Sequence, residues 1–146
     1  MPHDYRPWTG HSSFRGRGLK RTPRALSIID ALAIQRMKGA RVSRKVLKNH
    51  LKGQLVDVSQ SLGRLACTDE QGVCRTQTTA TTLYDFEHDR LITGREMLNL
   101  QGHGELATPV GMKDSVLADL AGEGMALPCL ATILWGLFFA RQFPAP

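Results

Sequence analysis

The sequence predicts an α+β fold of about four helices and two or three short strands. Apolar residues recur at helical spacing in several segments whose ends carry Thr, Ser, Pro or Gly. Two other segments contain β-branched residues typical of short strands. The chain has 146 residues, 42% of them hydrophobic, which is enough for a domain with a real core.

Charge is divided unevenly along the chain. Residues 1–52 hold 13 Lys/Arg and two acids, a net charge of +11, whereas residues 53–146 hold six Lys/Arg and eleven acids, a net charge of −5. We therefore predict a disordered basic arm at 1–21, a basic helical segment at 22–53 and a separate region at 54–146. The basic part either contacts a polyanion such as DNA or is a solvated surface with no dedicated partner.

Gly, Ser, Arg and Pro dominate the arm, and residues 14–18, Phe-Arg-Gly-Arg-Gly, resemble an Arg-Gly tract. Such tracts bind nucleic acid through charge and stacking. The N-terminus has no apolar stretch of the kind found in a secretory signal, so we expect an intracellular protein, nuclear if it binds DNA. The candidate nucleic-acid contacts are the basic residues of the arm and of the helix that follows, namely Arg15, Arg17, Lys20, Arg21, Arg44, Lys45 and Lys48.

Helix ends are marked at several points. Thr22 followed by a proline predicts the start of one helix, and Ser43 predicts the cap of a second helix that ends near Gly53. Asp114 predicts the cap of a third, which runs to Leu120. Residues 54–61 indicate a short strand that ends in a turn.

A Thr-rich segment at 73–84 indicates extended structure. Its hydroxyls either bind phosphates or belong to an ordinary strand. The next segment, Thr93-Gly94-Arg95-Glu96, fits a capping box, in which Thr and Glu satisfy the free amides of a helix start. Gly102 suits the left-handed position that closes the same helix.

The last apolar segment, residues 124–140, contains no charged residue. It is either a buried core helix or a membrane tail anchor. A spanning helix needs about 20 residues, so we predict a core helix and no membrane partner. The three cysteines include no C-x-x-C pair, which argues against a structural zinc site and for reduced thiols.

Two of these segments together resemble the C-terminal end of DNA (cytosine-5) methyltransferases. Residues 90–96, Arg-Leu-Ile-Thr-Gly-Arg-Glu, and then Leu-Gln-Gly-His at 100–103 are similar to the segment that closes the family's target-recognition region. Residues 122–128, Gly-Glu-Gly-Met-Ala-Leu-Pro, are similar to the Gly-Asn turn that leads into the family's last helix. The stretch at 57–64 looks like the upstream part of the same region, so the resemblance covers roughly residues 54–140.

The resemblance implies the C-terminal part of an α/β S-adenosylmethionine-dependent methyltransferase. In that family a Cys thiolate attacks a flipped cytosine and the cofactor supplies the methyl group. The resemblance places Gly122, Glu123 and Gly124 at the cofactor pocket. The resemblance also implies that Arg90, Thr93 and Glu96 are structural residues at a domain junction. The implied partner is DNA, with S-adenosylmethionine as cofactor.

Several family features are absent from the sequence. It has no Pro-Cys-Gln loop, no Gly-rich cofactor loop and no Glu-Asn-Val segment. Cys129 follows a proline but lacks the Gln, so we predict a buried, inert core thiol. Glu123 replaces Asn, and an ionised Glu can only accept hydrogen bonds. His103 replaces Phe and is expected to be a partly exposed loop residue.

Two functions follow as hypotheses. The first is a C-terminal fragment or degenerate relative of a DNA (cytosine-5) methyltransferase, inactive alone and completed by a missing or separate catalytic half. The alternative is a non-catalytic nucleic-acid-binding module that uses the basic N-terminal arm. We assign no catalytic residue and no metal ligand to this chain.

Overall fold

A computed structural model describes residues 6–37, 43–65, 67–69, 72–104 and 111–140. The α+β class is confirmed, because the described residues hold five α-helices, one 3-10 turn and a three-stranded antiparallel sheet. In chain order the elements are α1 (Pro23–Arg36), α2 (Arg44–His50), β1 (Leu55–Asp57), the 3-10 turn (Leu62–Arg64), β2 (Leu83–Asp85), β3 (Arg90–Leu91), α3 (Gly94–Leu100), α4 (Asp114–Glu123) and α5 (Leu127–Phe139).

The chain divides into two compact units. The N-terminal unit comprises Met1–Thr76 and Ala80–Ile92, and the C-terminal unit comprises Gln77–Thr79 and Thr93–Pro146. Neither division falls at the predicted boundaries after residues 21 and 53. The sheet therefore belongs with the N-terminal helices, and the capping-box threonine stands at the first residue after the chain leaves that unit.

The core of the N-terminal unit includes a residue from the segment predicted to be disordered. Trp8 is only 1% exposed, and its indole nitrogen donates to the Tyr84 hydroxyl at 2.7 Å. The Asp30 carboxylate accepts from the backbone amides of Trp8 and Thr9 at 3.1 and 3.0 Å. The prediction of disorder is therefore wrong for residues 6–21, because one tryptophan and a buried carboxylate order a polar segment. Residues 1–5 lie outside the described range.

Both predicted helix starts of the N-terminal unit are confirmed. The Thr22 hydroxyl accepts from the Ala25 amide at 3.2 Å, and the Ser43 hydroxyl accepts from the Val46 amide at 3.5 Å. Lys38 and Gly39 predict the end of α1 from the sequence, and both lie outside the described residues.

Strands β1 and β2 are shorter than the sequence suggests. β2 contains only Leu83–Asp85, and the described residues from 72 to 82 form no strand, so the segment predicted at 73–84 pairs in the sheet only at its C-terminal end. The physical reason is the path of the chain, because Gln77–Thr79 belong to the other unit. The residue pattern did not predict β3, which pairs with β2 after a turn where Asp89 has φ +54°.

In the C-terminal unit, α3 and α4 pack closely. A Cβ on Gly94 would lie 2.3 Å from the Asp114 carbonyl oxygen, so only glycine permits this approach. Lys113, not Asp114, is the N-cap of α4. The Asp114 carboxylate instead accepts from the Gly94 amide at 2.8 Å. α4 also extends beyond Leu120 to Glu123, and the helix breaks at Gly124.

The last helix departs most from prediction. α5 has no buried residue, although we predicted a core helix. Cys129 is exposed for the same reason, so the buried core thiol is also a wrong prediction. Composition alone could not reveal this exposure, because an apolar helix looks the same in sequence whether or not something covers it. Its large exposed apolar side chains are Leu127, Leu130, Ile133, Leu134, Trp135, Leu137, Phe138 and Phe139.

Candidate functional site

The motif at 90–103 forms the helix ends that the sequence predicts. In the capping box of α3, the Thr93 hydroxyl accepts from the Glu96 amide at 3.2 Å, and the Glu96 carboxylate accepts from the Thr93 amide at 2.7 Å. At the other end Gly102 has φ +85°, and the His103 amide donates to the Leu98 carbonyl at 3.2 Å. These contacts make Thr93 and Glu96 structural residues.

The turn after α4 carries the three predicted cofactor contacts. Gly122 packs against the segment at 77–79, since a Cβ there would lie 2.2 Å from the Thr79 nitrogen. A Cβ on Gly124 would lie 3.0 Å from the Gln101 side-chain oxygen and 3.9 Å from His103 Nε2. Glu123 is exposed to solvent.

Gln101 ties the ends of three helices together. It follows α3 as its C-cap, its side-chain nitrogen donates to the Ala121 carbonyl of α4, and its own carbonyl accepts from the Leu127 amide of α5 at 2.8 Å. Its Oε1 atom is buried without a hydrogen-bond partner. This glutamine belongs to the motif at 90–103, but the residue pattern alone predicts no role for it. The buried acceptor lies against Gly124, so a larger residue there would press on it.

This turn does not fit S-adenosylmethionine in the arrangement described. The protein's own backbone and the Gln101 amide already occupy the space beside Gly122 and Gly124. The exposed Glu123 carboxylate can accept hydrogen bonds but would repel the carboxylate of the cofactor. The unpartnered Gln101 oxygen is closed off from solvent. We therefore assign the two glycines a packing role.

The second predicted site is the basic segment at 15–21, and it is ordered. The Asp89 carboxylate accepts from the backbone amides of Arg15 and Gly16 at 2.8 and 2.9 Å. The next arginine of the tract, Arg17, donates its amide to the Asp89 carbonyl at 3.2 Å, and its own carbonyl accepts from the Leu91 amide at 2.9 Å. The backbone of the Arg-Gly tract is thus fixed along β3.

The side chains of this segment face solvent. Arg15, Arg17, Lys20 and Arg21 are all exposed. The guanidinium of Arg21 donates to the Arg15 carbonyl at 2.7 Å and lies 5.3 Å from the centre of the Phe14 ring. The structure therefore brings the predicted cations of the tract together on one short ordered stretch.

The remaining predicted cations lie on α2. Lys45 and Lys48 are exposed, and the side chain of Arg44 lies outside the described part of the chain. Among the described side chains, no hydrogen bond or ion pair joins these two lysines to residues 15–21. The structure therefore supports one connected basic stretch in the arm and leaves α2 as a separate basic face.

Tyr84 helps to hold the basic segment at 15–21 in place. Its hydroxyl donates to Asp89 at 2.6 Å and accepts from Trp8, and its ring lies 6.4 Å from that of Phe14. Burial raises the pKa of the Tyr84 hydroxyl well above its usual range, and the hydrogen bond to the Asp89 carboxylate raises that pKa further. Asp89 was not singled out from the sequence. Its position between β2 and β3 and its left-handed backbone are the signals that identify it.

Comparison with known proteins adds no relative. The chain matches no protein-family profile, no curated protein and no solved structure.

Proposed function

We propose that this chain forms the end of the target-recognition region and the last cofactor-domain helix of a DNA (cytosine-5) methyltransferase, as a fragment or degenerate relative that is inactive alone. The observation that carries the proposal is α5. The helix that the resemblance assigns to a packed cofactor domain exposes every one of its apolar side chains. A contiguous apolar surface of this kind marks an interaction site.

The short length of α5 and the residues before it favour a protein partner over a membrane. By length and composition alone, Asp114–Phe139 passes as a candidate membrane span. However, that stretch breaks between α4 and α5, and it includes three charged residues, Asp114, Asp119 and Glu123. α5 itself has 13 residues, which makes it about 20 Å long. The hydrocarbon core of a bilayer is about 30 Å thick.

Helix ends around α5 support the same proposal. The resemblance expects a capped scaffold helix, followed by a Gly-rich turn and a last helix. Here the capping box begins α3, Gln101 connects α3 with α4 and α5, and Pro128 stands in the first turn of α5. This chain's residues would therefore hold the last helix in place for docking, while the catalytic half would supply the thiolate and hold S-adenosylmethionine.

The test compares the isolated chain with tagged chain recovered from its native cells. Each is incubated with labelled S-adenosylmethionine and duplex DNA. We expect no methyl incorporation by the isolated chain and incorporation by the native material. Ile133→Asp together with Trp135→Asp should remove the activity of the native material, because both charges fall on the docking helix. Arg95→Ala, an exposed change on α3, is the matched control and should leave it intact.

Two results would contradict this proposal. Methyl transfer by the isolated chain would exclude a missing catalytic half. Recovery in the membrane fraction after carbonate extraction would instead identify α5 as an anchor.

A second candidate function is nucleic-acid binding by the N-terminal unit. The observation that favours it is the ordered stretch in which Asp89 fixes the backbone while Arg15, Arg17, Lys20 and Arg21 remain exposed. A fixed backbone lowers the entropy lost when these side chains contact phosphates. It also contrasts with the disordered arm that the composition suggests.

The corresponding test is the salt dependence of duplex DNA binding. Each lost phosphate contact should reduce the slope of log K against log salt by about 0.9. Arg15→Ala with Arg17→Ala should therefore flatten the slope, whereas Arg95→Ala should not. An unchanged slope in the double variant would exclude the ordered stretch as the binding surface.

A further inference from the structure

Two arginines of the N-terminal unit lie at paired positions on adjacent backbones. Arg17 and Arg90 form a parallel β-bridge. Its two hydrogen bonds are those from the Arg17 amide to the Asp89 carbonyl and from the Leu91 amide to the Arg17 carbonyl. Paired residues of such a bridge project from the same face, and neighbouring backbones lie about 4.8 Å apart. The register therefore brings two guanidinium-bearing side chains to one face of the sheet.

The bridge extends a row of residues that crosses the whole sheet. Arg90 of β3 pairs with Asp85 of β2, which pairs with Leu55 of β1. Arg17 adds to this row beside β3, and its side chain is exposed, whereas that of Arg90 is half-buried. Salt screens a partly buried charge less than a fully exposed one. An anion at this edge of the sheet would therefore meet one surface cation and one cation that is less screened.

Two carboxylates flank Arg90, and the protein itself engages both. The Asp85 carboxylate contacts His88 Nδ1 at 2.5 Å, and the Asp89 carboxylate accepts from the Tyr84 hydroxyl at 2.6 Å. Like charges at directly opposed positions destabilise a sheet, and an anion bound between the two arginines would remove that cost.

A terminal phosphate matches this pair better than other common anions do. The Arg90 Nη1 atom donates to the Leu91 carbonyl at 3.1 Å, but five N–H donors let one guanidinium keep an internal contact and bind an external oxyanion. A carboxylate or a backbone phosphodiester has two terminal oxygens and a single charge, which one guanidinium fork satisfies. A terminal phosphate has three acceptor oxygens and a charge of about −1.5 to −2, which suits two forks.

Given nucleic-acid binding by the N-terminal unit, on which this proposal rests, we propose that Arg17 and Arg90 together bind the 5′-terminal phosphate of a nucleic-acid strand. The other exposed cations of the arm, Arg15, Lys20 and Arg21, would then contact the backbone phosphates that follow. The resemblance assigned Arg90 only a structural role, and the bridge to Arg17 gives it a binding role.

The experiment measures binding of the full chain to one blunt DNA duplex, prepared with 5′-phosphate or with 5′-hydroxyl ends. Fluorescence anisotropy of a dye within the duplex reports both affinities at the same salt concentration. We expect the phosphorylated duplex to bind at least about tenfold more tightly, the gain expected from one charge-assisted hydrogen bond. Arg17→Gln, a change of an exposed residue, and Arg90→Gln should each bring the ratio of the two affinities close to one.

Two further variants separate the guanidinium fork from its charge. Arg90→Lys keeps the positive charge but not the planar fork, so it should also lose most of the preference. Lys48→Gln removes one exposed charge from α2 of the same unit, and it should leave the ratio of the two affinities unchanged.

The contrary results can be told apart. Equal affinities of the wild-type chain for the two duplexes would overturn the terminal-phosphate site and leave nucleic-acid binding in place, whereas no binding of either duplex would overturn both. A preference that survives both Arg17→Gln and Arg90→Gln would exclude this pair as the site. A phosphothreonine peptide that binds more tightly than the phosphorylated duplex would assign the pair to a protein ligand instead.

Discussion

Trp8 and Trp135 have opposite environments in the two units of this molecule. Trp8 is 1% exposed and donates a hydrogen bond to a buried tyrosine, whereas Trp135 is 68% exposed and contacts the Phe139 ring of its own helix. Among the described residues of the N-terminal unit, the aromatic side chains of Trp8, Tyr84 and Phe86 are buried in its core. The C-terminal unit has well-formed helix ends but leaves its most apolar helix uncovered. Residues that cap a helix therefore do not show whether that helix is packed against other parts of its unit.

The largest expected effect follows from this contrast. Trp8→Ala should destabilise the N-terminal unit by about 3–5 kcal/mol, because it removes a buried aromatic side chain and its hydrogen bond. Trp135→Ala should change stability by no more than about 0.5 kcal/mol, since surface substitutions do little. Urea unfolding followed by circular dichroism measures both. Equal losses would mean that α5 is packed in the isolated chain.

Two glycines of the C-terminal unit, one closely packed and one on the exposed helix α5, test the same contrast between packed and uncovered positions. Gly122→Ala should cost about 1–3 kcal/mol or more, because its Cβ would overlap the Thr79 backbone. Gly136→Ala should stabilise α5 by about 0.5–1 kcal/mol, because nothing lies within 4 Å of the new methyl group and alanine is the better helix former. Thermal unfolding of the two variants should shift in opposite directions. A loss of stability in Gly136→Ala would indicate a contact on α5.

The buried tyrosine predicts an alkaline transition confined to the N-terminal unit. The pKa of Tyr84 is higher in the folded than in the unfolded chain, so the folded state holds this proton more tightly. Its contribution is complete below the unfolded pKa of about 10 and is lost as pH rises further, at up to about 1.4 kcal/mol per pH unit. Urea midpoints between about pH 8 and 11 measure this loss.

Tyr84→Phe serves as the control for that transition. It should lower stability at all pH values by removing two hydrogen bonds, and it should flatten the alkaline loss. An unchanged slope in the variant would assign the transition to another group.

The last prediction concerns Thr93, the first residue after the N-terminal unit. Thr93→Ala removes the hydroxyl that accepts from the Glu96 amide and should cost about 1 kcal/mol. Thr93→Ser keeps that acceptor and should stay near the wild-type stability. Thermal unfolding would contradict the capping role if the two variants were equally destabilised.

The sequence predicted the helix ends better than the packing. The caps at Thr22, Ser43 and Thr93 depend on residues within one turn, so their side chains identify them. The order around Trp8 and the strand β3 depend on partners such as Asp30 and Asp89, which lie many residues away in sequence. Exposure of α5 was predicted wrongly, since its composition suits a core helix.

The packing of the candidate site was also harder to predict from the sequence than its helix ends. The resemblance identified the turn at 122–124, but the sequence could not show that both glycines pack against the protein's own atoms. Nor could it show that Gln101 connects three helices, because that role depends on the meeting of α3, α4 and the start of α5. Contacts between residues that are far apart in sequence determine this packing, and local residue patterns do not predict such contacts.

The most direct test of the central claim is the identity of the native polypeptide. An antibody against residues 105–120 would be used to isolate it, and its mass and sequence would be determined together with those of any chain that stays bound. We predict a Pro-Cys-Gln loop and a Gly-rich cofactor loop, either in one longer polypeptide or in a bound second chain. A 16.1 kDa polypeptide that binds no methyltransferase chain would contradict the account.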